Sequence, residues 1–271
     1  MKVSLITITY NSEKTLEDTI LSVVKQKSSD IEYIIVDGGS TDGTLGIIEK
    51  YKKYITTLIS EPDEGISDAF NKGVKTATGD IIGIVNSDDF LAPNAINAVV
   101  EAVENDSGFD VYYGNSIMFS EKEAYTYKPG ADLTKLPLYM VISHPATFIK
   151  RSAYEKYGRY DLEYKCAMDF ELLSKMYCKG AKFKYLDKTL TCFRLGGVSK
   201  KKGLVTEQES CNIAIRNGEN KVRVRLWYGK VRLKSKLLDF FSKCGVETKL
   251  RSAVKRQKST DVSDIKWFLE K

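Results

Sequence analysis

Residues 32–44, with the sequence EYIIVDGGSTDGT, join a short apolar run to a polar turn that contains three glycines. Isoleucine, valine and tyrosine favour strands, so residues 32–37 are predicted to form a buried strand. The glycines allow a sharp backbone turn at the end of that strand. A helix is predicted to follow at residues 44–51, which makes this stretch one strand–turn–helix unit.

The same unit repeats on both sides of this stretch. Strands are predicted at residues 3–10, 55–60 and 81–85, and a helix is predicted after each of them. The strands are too apolar to face water, which indicates a mostly parallel sheet with helices on both faces. The predicted fold class is therefore α/β, and ligands of such sheets bind at the carboxyl ends of the strands.

From about Asp110 the regular alternation stops. The predicted elements are a hairpin at 111–118 and 124–127, a strand at 146–149, a helix at 168–178, and closing strands at 183–186 and 190–193. After Gly196 and Gly197 the sequence becomes helical and basic. We therefore predict one domain over residues 1–199, made of halves 1–109 and 110–199, followed by a basic helical extension over residues 200–271.

The composition of the 271-residue chain, 42% hydrophobic and 29% charged, is typical of a globular protein. Its five cysteines form no C-x-x-C pair, which argues against structural zinc, and their odd number suits a reducing cytosol. No apolar run approaches the roughly 20 residues of a membrane-spanning helix. The first ten residues do not resemble a secretory leader, so a cytoplasmic protein is expected.

Charge is distributed unevenly along the chain. Residues 1–199 contain 23 Lys and Arg against 28 Asp and Glu, whereas residues 200–271 contain 19 against 8. The net charge of +6 therefore divides into −5 for the body and +11 for the tail. An acidic body argues against a protein that coats nucleic acid, and a basic tail suits an anionic membrane, RNA or another acidic surface.

Two adjacent carboxylates, Asp88 and Asp89, follow the strand predicted at residues 81–85. Neighbouring carboxylates repel each other, and a hard divalent cation such as Mg²⁺ or Mn²⁺ relieves that repulsion. With substrate phosphates as further ligands, such a cation would neutralise a diphosphate leaving group. The alternative is a solvated turn that caps the helix predicted at Pro93. The position at a strand end supports the metal site, and both interpretations stay open.

Four ordered blocks of sequence resemble the family 2 glycosyltransferases. They are TYN at 9–11, IVDGGSTDGT at 35–44, EPDEGISDAFNKG at 61–73 with ATGD at 77–80, and NSDD at 86–89. The resemblance covers residues 3–199 and implies a GT-A fold, which is a Rossmann-like domain. In that fold residues 1–109 would bind a nucleoside-diphosphate sugar, and residues 110–199 would bind the acceptor.

The resemblance also implies roles for individual residues at the strand ends. Thr9, Tyr10 and Asn11 would line the nucleotide pocket, and Asp37 would hold the base, commonly uracil. The other nucleotide-sugar contacts would be Gly39, Ser40, Asp68, Lys72, Asn86 and Asp88. A Mn²⁺ or Mg²⁺ ion would bind Asp88 and Asp89, which resemble the end of the family's Asp-x-Asp signature.

Two positions depart from the family pattern. Asn86 stands where many members have the first aspartate of the signature, which removes one charge from the expected metal site. Phe70 stands where many members have an arginine, so Lys72 is expected to take over the contact with the diphosphate.

On the acceptor side, residues 167–172 (AMDFEL) resemble the segment that carries the family's catalytic base. Inverting transfer needs a carboxylate that takes the proton of the attacking hydroxyl. We assign this role to Asp169, with Glu171 as a weaker substitute, and helix capping as the structural alternative. His144 and Arg194 lie in segments that resemble those around the acceptor cleft and the closing loop, although a hydrogen-bonding or ion-pairing role would explain each of them.

These features predict an inverting, metal-dependent transferase that moves a sugar from a nucleoside-diphosphate sugar, with UDP favoured, to a glycan or lipid-linked acceptor. The Gln-x-x-Arg-Trp signature of processive synthases is absent, which favours one sugar per encounter. A sugar nucleotidyltransferase is the alternative enzyme, but residues 7–12 lack its glycine-rich phosphate loop. The non-enzyme alternative is a scaffold with a degenerate site, for which Asn86 is the main argument.

The tail interleaves cations with large apolar residues at 221–228 and 234–241. One interpretation is an amphipathic helix at the inner membrane face, where members of the resembled family extend lipid-linked sugars. The other is a helical cap whose apolar face packs on the body. No nucleic-acid partner is expected.

Overall fold

The computed structural model describes residues 1–27, 30–120, 124–196 and 203–243, and these form a sheet with helices packed around it. The elements in chain order are β1 (Val3–Thr9), α1 (Leu16–Val24), β2 (Ile31–Asp37), α2 (Thr44–Lys50), β3 (Thr57–Ser60), α3 (Ile66–Thr76), β4 (Ile81–Ile84), β5 (Phe90–Leu91), α4 (Ala95–Asn105), β6 (Val111–Phe119), β7 (Ala124–Tyr127), β8 (Thr147–Lys150), α5 (Arg151–Tyr157), α6 (Met168–Cys178), β9 (Phe183–Arg194), α7 (Gly203–Arg216) and α8 (Lys221–Lys243).

The strands lie in the order β3-β2-β1-β4-β8-β6-β9-β5, and β7 pairs with β6 outside this path. Strands β1 to β4 pair in parallel, as predicted from the strand–helix alternation. Beyond β4 the sheet is mixed: β8 runs antiparallel to both β4 and β6, while β6 and β9 are parallel. The sheet order places the end of β4 directly beside the start of β8.

Apolar side chains alternate between the two faces of the sheet, because neighbouring residues of a strand point in opposite directions. Ile6, Ile34 and Ile82 pack with α3, α5 and α6 in one buried cluster. Leu5, Tyr33 and Ile35 pack with α1, α2 and α4 in the other. The predicted α/β class with helices on both faces is confirmed.

The structure corrects two details of the second half. The two closing strands predicted at residues 183–186 and 190–193 form one strand, β9, which continues through the polar residues between them. A register shift against β6 near Tyr113 and Asn115 absorbs this irregularity. The helix expected to begin at Pro93 begins at Ala95, after Asn94 in the left-handed conformation with φ of 57°.

The basic tail is helical over its described part and is attached to the body. Ala214 of α7 and Val224 and Tyr228 of α8 form a small buried cluster with Leu138. No helix within residues 1–27, 30–120, 124–196 and 203–243 is long and apolar enough to cross a bilayer.

Candidate active site

The turns after β1 and β2 are joined by hydrogen bonds at the carboxyl edge of the sheet. The Gly38 amide donates to the Thr9 carbonyl at 2.9 Å, and the Asn11 amide donates to Ser40 Oγ at 2.8 Å. In return, Asn11 Oδ1 accepts a hydrogen bond from the Thr41 amide at 2.8 Å. Asn11 itself adopts a φ of 48°, a conformation that asparagine tolerates better than most residues. The two turns therefore form one rigid wall.

Asp37 stabilises this wall through hydrogen bonds to its buried carboxylate. Its carboxylate is fully buried and accepts hydrogen bonds from the Ser40 amide and hydroxyl, at 3.1 Å and 2.5 Å, and from Ser60 Oγ at 2.8 Å. Gly38 lies so close to the next turn that a Cβ would stand 2.4 Å from Asp63 Oδ2. The resemblance implies that Asp37 contacts the nucleobase. Its carboxylate would have to make that contact while it also accepts the hydrogen bonds from Ser40 and Ser60.

Thr9 and Tyr10 lie at the same edge of the sheet, but Thr9 is buried and Tyr10 is exposed. Thr9 Oγ1 is buried and has no hydrogen-bond partner in the part of the chain that the structure describes. Such orphaned buried hydroxyls are rare, and they occur where a ligand or a bound water supplies the partner. Tyr10, by contrast, is 61% exposed, which leaves its ring accessible to a planar ligand.

Asp88 and Asp89 occupy different environments although they are adjacent. Asp89 is fully buried; its Oδ1 accepts the Arg194 amide at 2.9 Å and its Oδ2 accepts Asn86 Nδ2 at 3.0 Å. Burial raises the pKa of Asp89 well above its ordinary value, and the neighbouring charge of Asp88 adds to this. One of its oxygens fixes the end of β9 and the other binds Asn86 in its own turn, which does not favour Asp89 as a metal ligand.

Asp88 is only half-buried and accepts no hydrogen bond from another side chain within the described ranges. Burial raises its pKa, while the positive charge of Arg194 works in the opposite direction. Arg194 Nε donates to the Asp88 carbonyl at 3.2 Å, and the guanidinium lies over the rings of Phe119 and Phe90, at 4.9 Å and 5.5 Å from their centroids. Arg194 therefore supports the turn that carries Asp88.

The residues fit a divalent ion that takes most of its ligands from elsewhere. No group of three or more His, Cys, Asp or Glu side chains within the described ranges is arranged to hold a metal by itself. Mg²⁺ and Mn²⁺ commonly bind through one or two carboxylates, with substrate phosphates and water as the other ligands. Asp88 would be the carboxylate that the protein contributes to such a site.

Lys72, expected at the diphosphate, is engaged in a local ion-pair network. Its ammonium lies 2.9 Å from Glu61 Oε1 and 3.1 Å from Asp68 Oδ2, and it donates to the Pro62 carbonyl at 3.1 Å. The hydrogen bond to Glu61 is the main reason that the pKa of Lys72 is raised. A diphosphate contact from Lys72 would require it to exchange these partners, and the same holds for a donor contact from Asp68.

His144 lies in the short turn His144–Ala146 that precedes β8, beside the end of β4. It is buried, and its Nε2 shares a hydrogen bond of 2.7 Å with the Tyr160 hydroxyl. Phe70, at the position of the family's arginine, packs on both rings, with centroids 5.5 Å from His144 and 4.8 Å from Tyr160. Burial lowers the pKa of His144, and the negative charge of Asp169 opposes this shift.

Asp169 lies in the first turn of α6, where its Oδ1 accepts the Phe170 amide at 2.7 Å. Its negative charge acts on both His144 and Tyr160 in the direction that raises the pKa of each, so the three side chains are linked electrostatically. Glu171 is only 1% exposed and is paired with Lys175 and Arg216. That pairing leaves Asp169 as the carboxylate of this helix that is available to an acceptor.

One residue of the site was not foreseen from the sequence. Glu209, in α7, accepts the backbone amides of Lys165, Cys166 and Ala167, each at 2.9 Å. These three amides belong to the loop that leads directly into α6 and Asp169. The only hint in the sequence was the presence of a carboxylate within a basic tail, and nothing there indicated its partner.

Comparisons with known proteins identify the family and the fold. The model of the family "Glycosyl transferase family 2" matches residues 4–158. A PGL/p-HBAD biosynthesis glycosyltransferase from Mycobacterium bovis is 30% identical over 172 residues, which is 62% of this chain and 66% of that protein. An uncharacterized glycosyltransferase from Mycobacterium tuberculosis is 30% identical over 183 residues, which is 63% of this chain and 67% of that one.

Two solved structures share the fold at lower sequence identity. S. aureus TarS 1–349 in complex with UDP-GlcNAc has a TM-score of 0.62 at 21% identity, and the match covers 89% of this chain and 73% of that one. The mannosyltransferase PcManGT from Pyrobaculum calidifontis, in complex with GDP-Man and Mn²⁺, has a TM-score of 0.63 at 18% identity, over 84% and 69%. With more than half of its residues matched by the family model, the chain belongs to glycosyl transferase family 2.

Proposed function

We propose that the protein is an inverting, metal-dependent glycosyltransferase that uses a nucleoside-diphosphate sugar, with UDP as the favoured nucleotide. The acceptor is a hydroxyl of a glycan or of a lipid-linked precursor in cell-surface polysaccharide synthesis, on the cytoplasmic side of the membrane. The observation that carries this proposal is the sheet order. It pairs β4, which precedes the Asp88 turn, with β8, which follows the His144 turn, and the charge of Asp169 acts on His144.

In this mechanism the two carboxylates have separate tasks. Asp169 takes the proton of the acceptor hydroxyl as that oxygen attacks the anomeric carbon, which makes the oxygen a stronger nucleophile. Asp88 would hold a Mn²⁺ or Mg²⁺ ion, and that ion would neutralise the charge that develops on the diphosphate leaving group. Asp89 and Asn86 keep the Asp88 turn in place, because their side chains bond each other and the end of β9.

The wall built from the turns after β1 and β2 supports the proposal of a nucleotide-sugar donor. Thr9 contributes a buried hydroxyl without a partner in the described residues, and Tyr10 contributes an exposed ring on which a base can stack. Asn11, Asp37, Gly39 and Ser40 fix the shape of this wall. Fold neighbours bind UDP-GlcNAc in TarS and GDP-Man with Mn²⁺ in the archaeal enzyme, which supports a nucleotide-sugar donor of the same class here.

A thermal-shift panel of UDP, GDP, dTDP and NAD, each with and without Mn²⁺, tests the proposal. A ligand at 100 times its Kd adds about 2.7 kcal/mol of stability, which gives a readable shift. We expect one nucleoside diphosphate to stabilise the protein in a metal-dependent way, and Asp88→Asn to remove the metal dependence. A flat response to every nucleoside diphosphate would contradict the proposal and favour a scaffold with a degenerate site.

A further inference from the structure

Helix α8 attaches to the body through one of its faces. Val224 and Tyr228 are buried in the cluster with Leu138, and the Tyr228 hydroxyl donates to the Leu138 carbonyl at 3.0 Å. Trp227 stacks on Tyr139 with centroids 4.9 Å apart and an interplanar angle of 10°. This face accounts for the interpretation of the tail as a packed cap.

A second apolar face of the same helix is exposed. Val222, Leu226, Leu233 and Leu237 are 65%, 61%, 60% and 49% exposed. With about 100° of rotation per residue, these four positions fall within a sector of about 60° on the side opposite Val224 and Tyr228. We call this row the apolar stripe. A contiguous exposed row of this kind marks an interaction surface, because its contact with water is unfavourable.

Cations border the apolar stripe on both sides. At the same helical spacing, exposed Arg225, Arg232 and Lys236 follow one border, and exposed Arg223 and Lys230 follow the other. Arg223 also pairs with Glu219 at 3.3 Å. In the sequence of Lys221–Lys243, eight Lys and Arg stand against one acidic residue, Asp239. The helix therefore combines an outward apolar row with positive charge along its edges.

A groove beside the stripe has the same mixed character. It has a volume of about 470 Å³ and lies between α8 and the segment around Leu138. Lys135, Arg223 and Lys230 line it together with Leu226 and Trp227, and none of its lining residues is acidic. A phosphate headgroup would meet the cations there, while the glycerol and acyl parts of a lipid would meet the apolar side chains.

Charge decides among the possible occupants of this surface. A second copy of α8 would bring two sets of cationic borders together. Residues 244–271 of this chain contain seven Lys and Arg against four Asp and Glu, so they have the same sign as the borders. An anionic bilayer complements both the apolar stripe and its positive borders.

We infer that α8 docks the protein on a membrane of anionic phospholipid, with the apolar stripe inserted at the headgroup level and the cationic borders over the lipid phosphates. This docking is independent of sugar transfer, because none of the residues involved belongs to the candidate active site. The opposite face of α8 keeps the helix attached to the body while the stripe is in the membrane.

The test is flotation of the full chain with vesicles of phosphatidylcholine alone or with about 30% phosphatidylglycerol, at about 0.05 M and about 0.5 M NaCl. We expect binding to the anionic vesicles at low salt and little binding to the neutral ones. The variant Leu226→Ser/Leu233→Ser removes apolar contact and should lower the bound fraction at least about tenfold. Lys230→Gln/Arg232→Gln/Lys236→Gln should lower the partition coefficient about a hundredfold, because each cation near the surface contributes about fivefold.

Matched controls are available on the body. Leu45→Ser/Leu58→Ser changes two exposed leucines away from α8, and Lys25→Gln/Lys52→Gln/Lys53→Gln removes three exposed lysines; both should float as the unaltered chain does. Melting temperatures confirm that each variant folds. Equal flotation of the stripe variant and the unaltered chain would overturn the inference. So would a chain that fails to float and forms a dimer in solution that Leu226→Ser/Leu233→Ser converts to a monomer.

Discussion

Glu32 and Asp88, at opposite ends of the parallel strands, are carboxylates in opposite electrostatic environments. At the amino end, Glu32 is buried and accepts hydrogen bonds from Lys2 Nζ at 2.8 Å, Ser4 Oγ at 2.5 Å and the Thr78 amide at 2.7 Å. Burial alone would raise its pKa, but these bonds together lower the pKa of Glu32 to about 2. At the carboxyl end, burial raises the pKa of Asp88, and no hydrogen bond from another described side chain offsets that effect.

The opposite pKa shifts indicate that Glu32 stabilises the fold and that Asp88 is suited to binding a ligand. A carboxylate whose pKa is lowered stabilises the fold, whereas one whose pKa is raised is held in an environment that its charge disfavours. A cation that binds together with the substrate would stabilise the charged form of such a carboxylate. From this comparison we expect substitution of Asp88 to change activity and ligand binding, and substitution of Glu32 to change stability alone.

The largest effect is expected at Asp169. Asp169→Asn removes the base but keeps the size of the side chain, so the rate of sugar transfer should fall about a thousandfold. Binding of the donor nucleotide, measured by calorimetry, should stay within about twofold, because no donor contact is assigned to Asp169. Asp187→Asn, at an exposed position on β9, is the matched control and should keep full activity. Retained turnover by Asp169→Asn would refute the assignment of the base.

The next effect is expected at Asp88. Asp88→Asn should lower transfer about a hundredfold and abolish stabilisation by Mn²⁺ in the presence of the nucleotide. Because the pKa of Asp88 is raised, protons compete with the metal, and the Mn²⁺-dependent thermal shift of the unaltered protein should weaken in acid at a higher pH than an ordinary aspartate would cause. Asp89→Asn should keep the metal dependence. The reverse pattern for the two variants would move the metal to Asp89.

At the amino end, Glu32→Gln should lower the free energy of unfolding at neutral pH by about 2–3 kcal/mol without changing KM. The pKa of Glu32 in the folded protein lies below its ordinary value of 4.5, so the stabilisation is complete above pH 4.5 and is lost as the pH falls toward about 2. Urea unfolding at several pH values measures this, and the two proteins should converge in acid. Glu49→Gln, at an exposed carboxylate, should be neutral. A change in KM with unchanged stability would break the comparison of the two ends.

The smallest effect concerns the loop that precedes α6. Glu209→Gln weakens the binding of the Lys165, Cys166 and Ala167 amides, so Asp169 is positioned less firmly and kcat should fall about tenfold. The donor KM should not change. Glu207→Gln, on the same helix, is the control and should leave kcat unaltered. A change in the donor KM with constant kcat would show that Glu209 does not act through Asp169.

The local elements could be predicted from the sequence because their signals are local. The helix predicted at residues 168–178 is observed as Met168–Cys178, and the hairpin of β6 and β7 is observed as predicted. The strand ends that gather the site follow from the strand–helix alternation, which forces parallel strands to end at one edge. The family blocks then predict which residues at that edge carry the chemistry, and those roles stay predictions.

The remaining features depend on contacts between distant parts of the chain. In the sequence Asp88 and Asp89 are equivalent, and they are distinguished by an amide 105 residues away, that of Arg194. Likewise, Glu209 meets its loop more than 40 residues away through backbone amides, which leave no trace in side-chain patterns. The two faces of α8 became distinct only when Val224 and Tyr228 were found against Leu138.

The bond between Asp89 and the Arg194 amide has a consequence for the order of synthesis. A ribosome that adds about 5–20 residues per second takes about 5–20 s to extend the chain from Asp89 to Arg194. During that interval β1 to β4 can pair, but the turn that carries Asp88 lacks the strand that fixes it. We expect the nascent chain to acquire metal-dependent nucleotide affinity only after β9 has emerged, because the Asp88 turn is not fixed before then.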